Sequence, residues 1–227
     1  MSFDIKRIGK RGVFVVHWLI RVRYQTIEFG DLDIHVRSLR DAQETQEDDS
    51  PPIHDISPGN WSIFGVLWKS GKTLAKLMHT YDIKDRRILE VGCGLGLASL
   101  LLNHLSADIS ATDYHPDAQS FLDENTRLNG DPKIPFSRAH WEQEDCGLGN
   151  FDLIIGSDLL YERGRAELLS TFIDNQAHPK CEVIMVDPGR GQIARFSQQM
   201  KQRGYSDRKL PTNQDNQKEQ VHIYTRG

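Results

Sequence analysis

The segment Glu90-Val-Gly92-Cys-Gly94-Leu-Gly96 holds the residue types in this 227-residue chain that most directly suggest ligand chemistry. Glycines at alternate positions let the backbone turn sharply and come close to a bound molecule, with the N–H groups of a following helix facing it. Asp113 stands 21 residues past Gly92. At the end of the next strand, a carboxylate there can accept both hydroxyls of a ribose. The dinucleotide fingerprint of dehydrogenases needs glycine or alanine at the sixth position counted from Gly92, and that position holds Leu97. The fingerprint therefore fails, and a dehydrogenase is excluded. The plain alternative, a glycine-rich turn with a chance acid downstream, is opposed by the strand context and the spacing together. Nine histidines and three cysteines (Cys93, Cys146, Cys181) show no metal-like spacing, so no metal site is expected. Cys93 reads as a small filler of the turn, and His115 reaches the rim of the site at most.

The elements that must position these residues begin after a change of pattern near residue 60. Helical spacing of Leu74, Leu77 and Met78 predicts a helix over 71–81. A strand over 87–92 feeds the glycine turn, and an apolar helix follows over 97–105. A strand over 107–113 ends in the acid; a helix over 116–129 starts with Pro116 and stops at Asn129-Gly130. Further strands are expected over 136–140, 151–157, 182–187 and 220–225, with helices over 166–172 and 192–203. Apolar strands alternating with helices mean a parallel sheet covered on both faces, whose ligands bind beyond the carboxyl ends of the strands.

Upstream, residues 23–40 read as two alternating strands around a Gly-Asp turn, a β-hairpin. Residues 41–55 carry six acids, no Lys or Arg, and Pro51-Pro52, the composition of a linker. Residues 1–24 carry six Lys or Arg against one acid, which reads as a solvated basic extension or an edge strand. Their apolar run leads into Arg21-Val-Arg23 rather than a small-residue cleavage site, and it is far too short to span a bilayer. Over the whole chain, 28 Lys plus Arg against 32 Asp plus Glu leave a formal charge of −4. No basic excess favours nucleic acid or a membrane surface as partner. A soluble, cytoplasmic protein is expected.

The sequence resembles a known family. Glu90-x-Gly-x-Gly-x-Gly96 with an Asp ending the next strand resembles the class I, seven-stranded S-adenosylmethionine-dependent methyltransferases. Leu67-Trp68-Lys-Ser-Gly71, Ala111-Thr-Asp-Tyr114, Asn125-Thr-Arg-Leu-Asn-Gly130 and Ser157-Asp-Leu-Leu-Tyr161 narrow it. With these, the chain is similar to the methyltransferase-16 group, protein lysine methyltransferases that modify chaperones, elongation factors or the electron-transfer flavoprotein β-subunit. The resemblance covers roughly Tyr24 onward. It implies an α/β fold with a doubly wound, mostly parallel seven-stranded sheet, Rossmann-like, carrying an N-terminal β-hairpin extension. Residues 1–60 then form the basic extension, hairpin and acidic linker, and 61–227 the methyltransferase domain.

The same resemblance implies roles. Glu90, Gly92, Gly94 and Gly96 hold the methionine end of S-adenosylmethionine, and Asp113 takes the ribose. Trp141 lies beside the adenine, Trp68 against the cofactor, and Ser157 also on the cofactor side. For both tryptophans burial in the core is the equal alternative. Asp158 and Tyr161 carry catalysis: a lysine ammonium must lose a proton before it attacks, and a carboxylate with a nearby phenol can hold and orient the amine. The alternative is that Asp158 caps the following helix and Tyr161 packs beneath it. Asp187 and Arg190, after the fifth strand, are further candidates for substrate contact.

A protein lysine is thus the expected acceptor. A nicotinamide-like small-molecule acceptor is the alternative. Nucleic acid is disfavoured, because Leu159 and Leu160 stand where amino-methylating nucleic-acid enzymes carry Pro-Pro.

Overall fold

The computed structural model describes residues 5–8, 13–16, 21–40, 64–161, 164–189, 191–211 and 218–227. The acidic stretch 41–55, the boundary at 60/61 and Arg190 lie outside them. Strands β1 (Ile5–Ile8) and β2 (Val13–Val16) pair antiparallel with each other in the basic N-terminal stretch. The expected hairpin is β3 (Val22–Phe29) and β4 (Leu32–Leu39), joined at Gly30, whose φ of +61° suits a two-residue turn. Along β4 every second residue, Ile34, Val36 and Ser38, is buried.

Helix α1 (Lys69–His79) follows, with Leu74 and Met78 fully buried. Each such side chain contributes about 1.5–3 kcal/mol of burial. The main sheet then runs β5 (Arg87–Val91), β6 (Asp108–Asp113), β7 (Phe136–Arg138), β8 (Phe151–Ser157), β9 (Ala177–Asp187), β10 (Ser206–Leu210) and β11 (Gln220–Arg226). Helices α2 (Leu97–His104), α3 (Ala118–Leu128), α4 (Arg165–Gln176) and α5 (Ile193–Gln202) connect them.

The spatial order is β10-β11-β9-β8-β5-β6-β7, with β5 to β9 parallel and β11 reversed between β9 and β10, antiparallel to both. Period-two alternation divides the core. Ile88, Leu153, Ile155, Ile184 and Val186 face α1, α2, α3 and the β3–β4 hairpin. Leu89, Val91, Ile154, Val183 and Met185 face α4 and α5. Both faces are covered, as near-continuous apolar strands require.

The departures from expectation have physical causes. β10 is absent from the expected strands because its residues, SDRKL, are largely exposed and show no apolar run; among the described residues it is an edge strand paired to β11. β9 begins at Ala177 rather than 182, where polar residues and Pro179 mask the strand, and its pairing with β8 shifts register between Phe151 and Leu153. The hairpin is latched to α3 by two side chains on one helix face. Asn125 accepts from the Arg37 N–H at 2.7 Å and donates to its carbonyl at 3.3 Å. Asn129 does the same for His35, both bonds at 2.8 Å. Two amides thus imitate a neighbouring strand.

Candidate functional site

From β5 the chain passes to β6 and β7 on one side and returns through β8 on the other. The topological switch point, where α/β sheets bind ligands, therefore lies at the carboxyl ends of β5 and β8. The glycine turn leaves one of those ends and Asp158 the other.

In the turn, Gly92, Gly94 and Gly96 have φ of +61°, +56° and +71°, all in the left-handed region that side chains disfavour. They differ in surroundings. A Cβ on Gly92 would stand 2.4 Å from Leu159 Cδ2, whereas one on Gly94 would meet nothing within 4 Å. Gly94 thus borders open space, and an added methyl there would intrude on an approaching ligand. Gly96 is the N-cap of α2 and offers no side chain, so the helix N–H groups are left to other partners.

Glu90 supplies one. It is buried at 4% exposure, and its Oε2 accepts from the Ser99 N–H at 2.9 Å and from the Ser99 hydroxyl. Burial pushes its carboxyl up to about 7; the Ser99 bonds oppose this and Asp113 adds to it. Asp113 ends β6, half-buried. Its Oδ2 accepts from the Gly94 N–H at 2.8 Å and its Oδ1 from the His115 N–H at 2.7 Å. Burial raises its carboxyl too, opposed by the N–H groups of His115, Gly94 and Tyr114. Asp113 therefore fixes the turn that leaves β5 while keeping lone pairs on both oxygens for further donors.

Trp68, the residue before α1, is 39% exposed and walls a crevice with Glu90, Gly92, Gly94, Gly96 and Ser157. A Cβ on Gly71 would lie 3.6 Å from Ser157 Oγ, so α1 and the end of β8 close one side. The structure brings these predicted residues together, with Asp113 bonded to the turn. Trp141 is not among the residues that wall this crevice. Half-buried, it lies 5.6 Å from the Arg165 guanidinium and walls a groove of about 760 Å³ with Glu142, Glu144, Glu167 and Leu168.

Asp158 follows β8 with φ of +53° and donates its backbone N–H to Val186 O at 2.9 Å. Asp tolerates this left-handed conformation better than most residues. Its helix-capping alternative does not hold, because the N-cap of α4 is Gly164, with no side-chain cap. Asp158 and Tyr161 are both half-buried. His115 stacks on Phe64 with centroids 4.0 Å apart, and burial lowers its pKa to about 4. Asp187 is buried and accepts the Gly189 N–H at 2.7 Å, turning the chain at the end of β9. Asn125, the latch of the hairpin, also serves the site. Its Nδ2 also reaches Leu95 O at 3.5 Å, so one amide contacts both hairpin and glycine turn.

Among the described residues no group of His, Cys, Asp and Glu is arranged to hold a metal, and no helix is long and apolar enough to cross a membrane.

The chain matches the lysine methyltransferase family over residues 52–203. It is 28% identical over 168 residues to the electron transfer flavoprotein beta subunit lysine methyltransferase of Rattus norvegicus, covering 71% of this chain and 65% of that protein. It is 32% identical over 114 residues to a protein N-lysine methyltransferase of Danio rerio, covering 45% of this chain and 51% of that one. The chain thus spans less than two thirds of the length of these relatives. Among solved structures, the ribosomal protein L11 methylase of Lactobacillus delbrueckii subsp. bulgaricus superposes with a TM-score of 0.60 at 21% identity, covering 89% of this chain and 99% of that one, and shares the fold. With more than half its length matched, the chain belongs to the lysine methyltransferase family.

Proposed function

We propose that this protein transfers a methyl group from S-adenosylmethionine to the side-chain nitrogen of a lysine in a protein substrate. The observation that carries the reading is the pairing, at one switch point, of a glycine turn latched to Asp113 with an acid, Asp158, at the neighbouring strand end. When bound, S-adenosylmethionine supplies a methyl on a cationic sulfonium, open to in-line displacement by an amine.

The residues fit that cofactor. Asp113 has lone pairs for the two ribose hydroxyls, and Gly94 leaves room beside it. The first turn of α2 offers N–H groups to the methionine carboxylate, and Glu90 places a carboxyl near the cationic amine. Trp68 and Ser157 wall the crevice against water. Asp158 accepts an N–H from the incoming ammonium, orients it, and receives its proton at the carboxylate or passes it to water. Tyr161 adds a hydrogen bond from its phenol. Trp141 remains the proposed aromatic for the adenine side. The three cysteines are buried free thiols, in keeping with a reducing, cytoplasmic setting.

The test is transfer of tritium from labelled S-adenosylmethionine into a cell extract, comparing wild type with Asp158→Ala. A discrete labelled protein band, destroyed by protease and absent with the variant, is expected. Label confined to small molecules or to nuclease-sensitive material would replace the protein acceptor with the corresponding one.

A further inference from the structure

The start of β11 lies at the ligand edge of the sheet, since Gln220, which opens β11, pairs with Asp187, which closes β9. The residue before it, Glu219, is buried at 5% exposure and has no part in the reading above. Ser70 Oγ donates to its Oε1 at 3.2 Å, and Thr73 Oγ1 donates to its Oε2 at 2.9 Å. Among the described residues these two hydroxyls are its hydrogen-bond partners. They sit three apart on one face of α1, 149 and 146 residues away in sequence.

A buried carboxylate held by two neutral hydroxyls is an unfavourable way to join a strand to a helix, and an apolar contact would do so at lower cost. What the carboxylate adds is a fixed position and a charge where α1 lacks one. The helix has no side-chain N-cap and no acid in its first turn. Glu219 supplies the negative charge that complements this end of the helix dipole. The same turn carries Trp68 and Gly71, which wall the crevice, and Gly71 backs onto Ser157.

We propose that Glu219 is a positioning residue: it fixes the first turn of α1, and so holds Trp68 and Gly71 in place across the crevice from the glycine turn. This rests on the S-adenosylmethionine reading of that crevice. Glu219 touches no reacting atom, so its effect falls on cofactor affinity.

The test is calorimetric titration of the full chain with S-adenosylmethionine and, separately, S-adenosylhomocysteine, alongside thermal melting. Glu219→Ala is expected to raise both Kd values by about tenfold, the scale of one hydrogen bond to a charged group. Ser70→Ala/Thr73→Ala should reproduce that rise, and combining all three changes should add nothing to either. Glu219→Gln, which keeps the shape and can still bond a hydroxyl but lacks the charge, should recover only part of the lost affinity. A lowered melting temperature with unchanged Kd would overturn the proposal, as would additive effects of the two sets. If Glu219→Ala does not fold, wild-type Kd values in Ser70→Ala/Thr73→Ala would overturn it equally. A wild-type chain that binds neither ligand would bring down the cofactor reading itself, whereas wild-type binding with unaffected variants brings down Glu219 alone.

Discussion

The loops after β5 and β8 flank the same switch point and use the same left-handed backbone, but with opposite residue choices. After β5, three glycines take φ between +56° and +71°; after β8, Asp158 takes +53°. Glycine enters that region at little cost, whereas residues with a Cβ are held there only by their surroundings. In the first loop a Cβ would run into Leu159 at Gly92 and Leu122 at Gly96, and only at Gly94 would it enter the open space proposed for the cofactor. In the second a charged side chain is kept despite the backbone, and the Asp158 N–H is anchored on Val186. Under the proposed function one loop binds the cofactor and the other presents a functional group.

This contrast can be broken in order of expected effect. Asp158→Ala should lower turnover by about 10²–10⁴-fold, the range for a positioned acid–base group, with cofactor Kd unchanged. Asp158→Asn, which tolerates the same backbone, should be as inactive while melting like wild type. Steady-state kinetics and melting curves check both; a fully active Asn variant would mean the charge is not needed. Next, Asp113→Ala should weaken cofactor binding by more than about 100-fold, since bonds to two hydroxyls and the latch on Gly94 are lost together. Calorimetry reads this directly, and unchanged affinity would remove Asp113 from the ribose.

A finer test compares two glycines. Gly94 and Gly130 have φ of +56° and +72°, and a Cβ on either meets nothing within 4 Å. Alanine should strain each by about 1–2 kcal/mol and lower both melting temperatures. Only Gly94→Ala should also weaken cofactor binding, by on the order of tenfold. Equal affinities would show that Gly94 does not face the ligand.

A separate test is one of pH. Burial holds the Glu90 carboxyl at about 7 against an ordinary 4.5. A folded-state pKa above the unfolded one contributes stability that is fully present below 4.5 and lost as pH rises through 7. The stability of Glu90→Gln relative to wild type should therefore grow between pH 5 and 8, by a few kcal/mol at most. Melting of the ligand-free protein across that range checks it; a flat difference would show that burial does not disfavour the charged form.

How far the sequence disclosed this molecule depended on whether partners are local. Strands β5 to β9 and their helices follow from apolar runs and spacing, and so do the glycine turn and Asp113, separated by one strand–helix–strand unit. The polar edge strand β10 gave no period to read. The Asn125 and Asn129 latch lay in plain view on one helix face, but its partners, His35 and Arg37, are about 90 residues away. Glu219 was invisible for the same reason, its partners being on α1. Trp141 could be placed after β7 from sequence, but not in the groove beside α4, because a groove is made by loops whose course no periodicity sets.

The most direct measurement is acid hydrolysis of the labelled substrate protein, followed by chromatographic identification of the labelled amino acid. ε-N-methylated lysine, formed by wild type and missing with Asp158→Asn, is the predicted result. Label recovered on histidine or arginine, or released as volatile methanol as from a carboxyl methyl ester, would contradict lysine as the acceptor, even with Asp158 and the glycine turn acting as described.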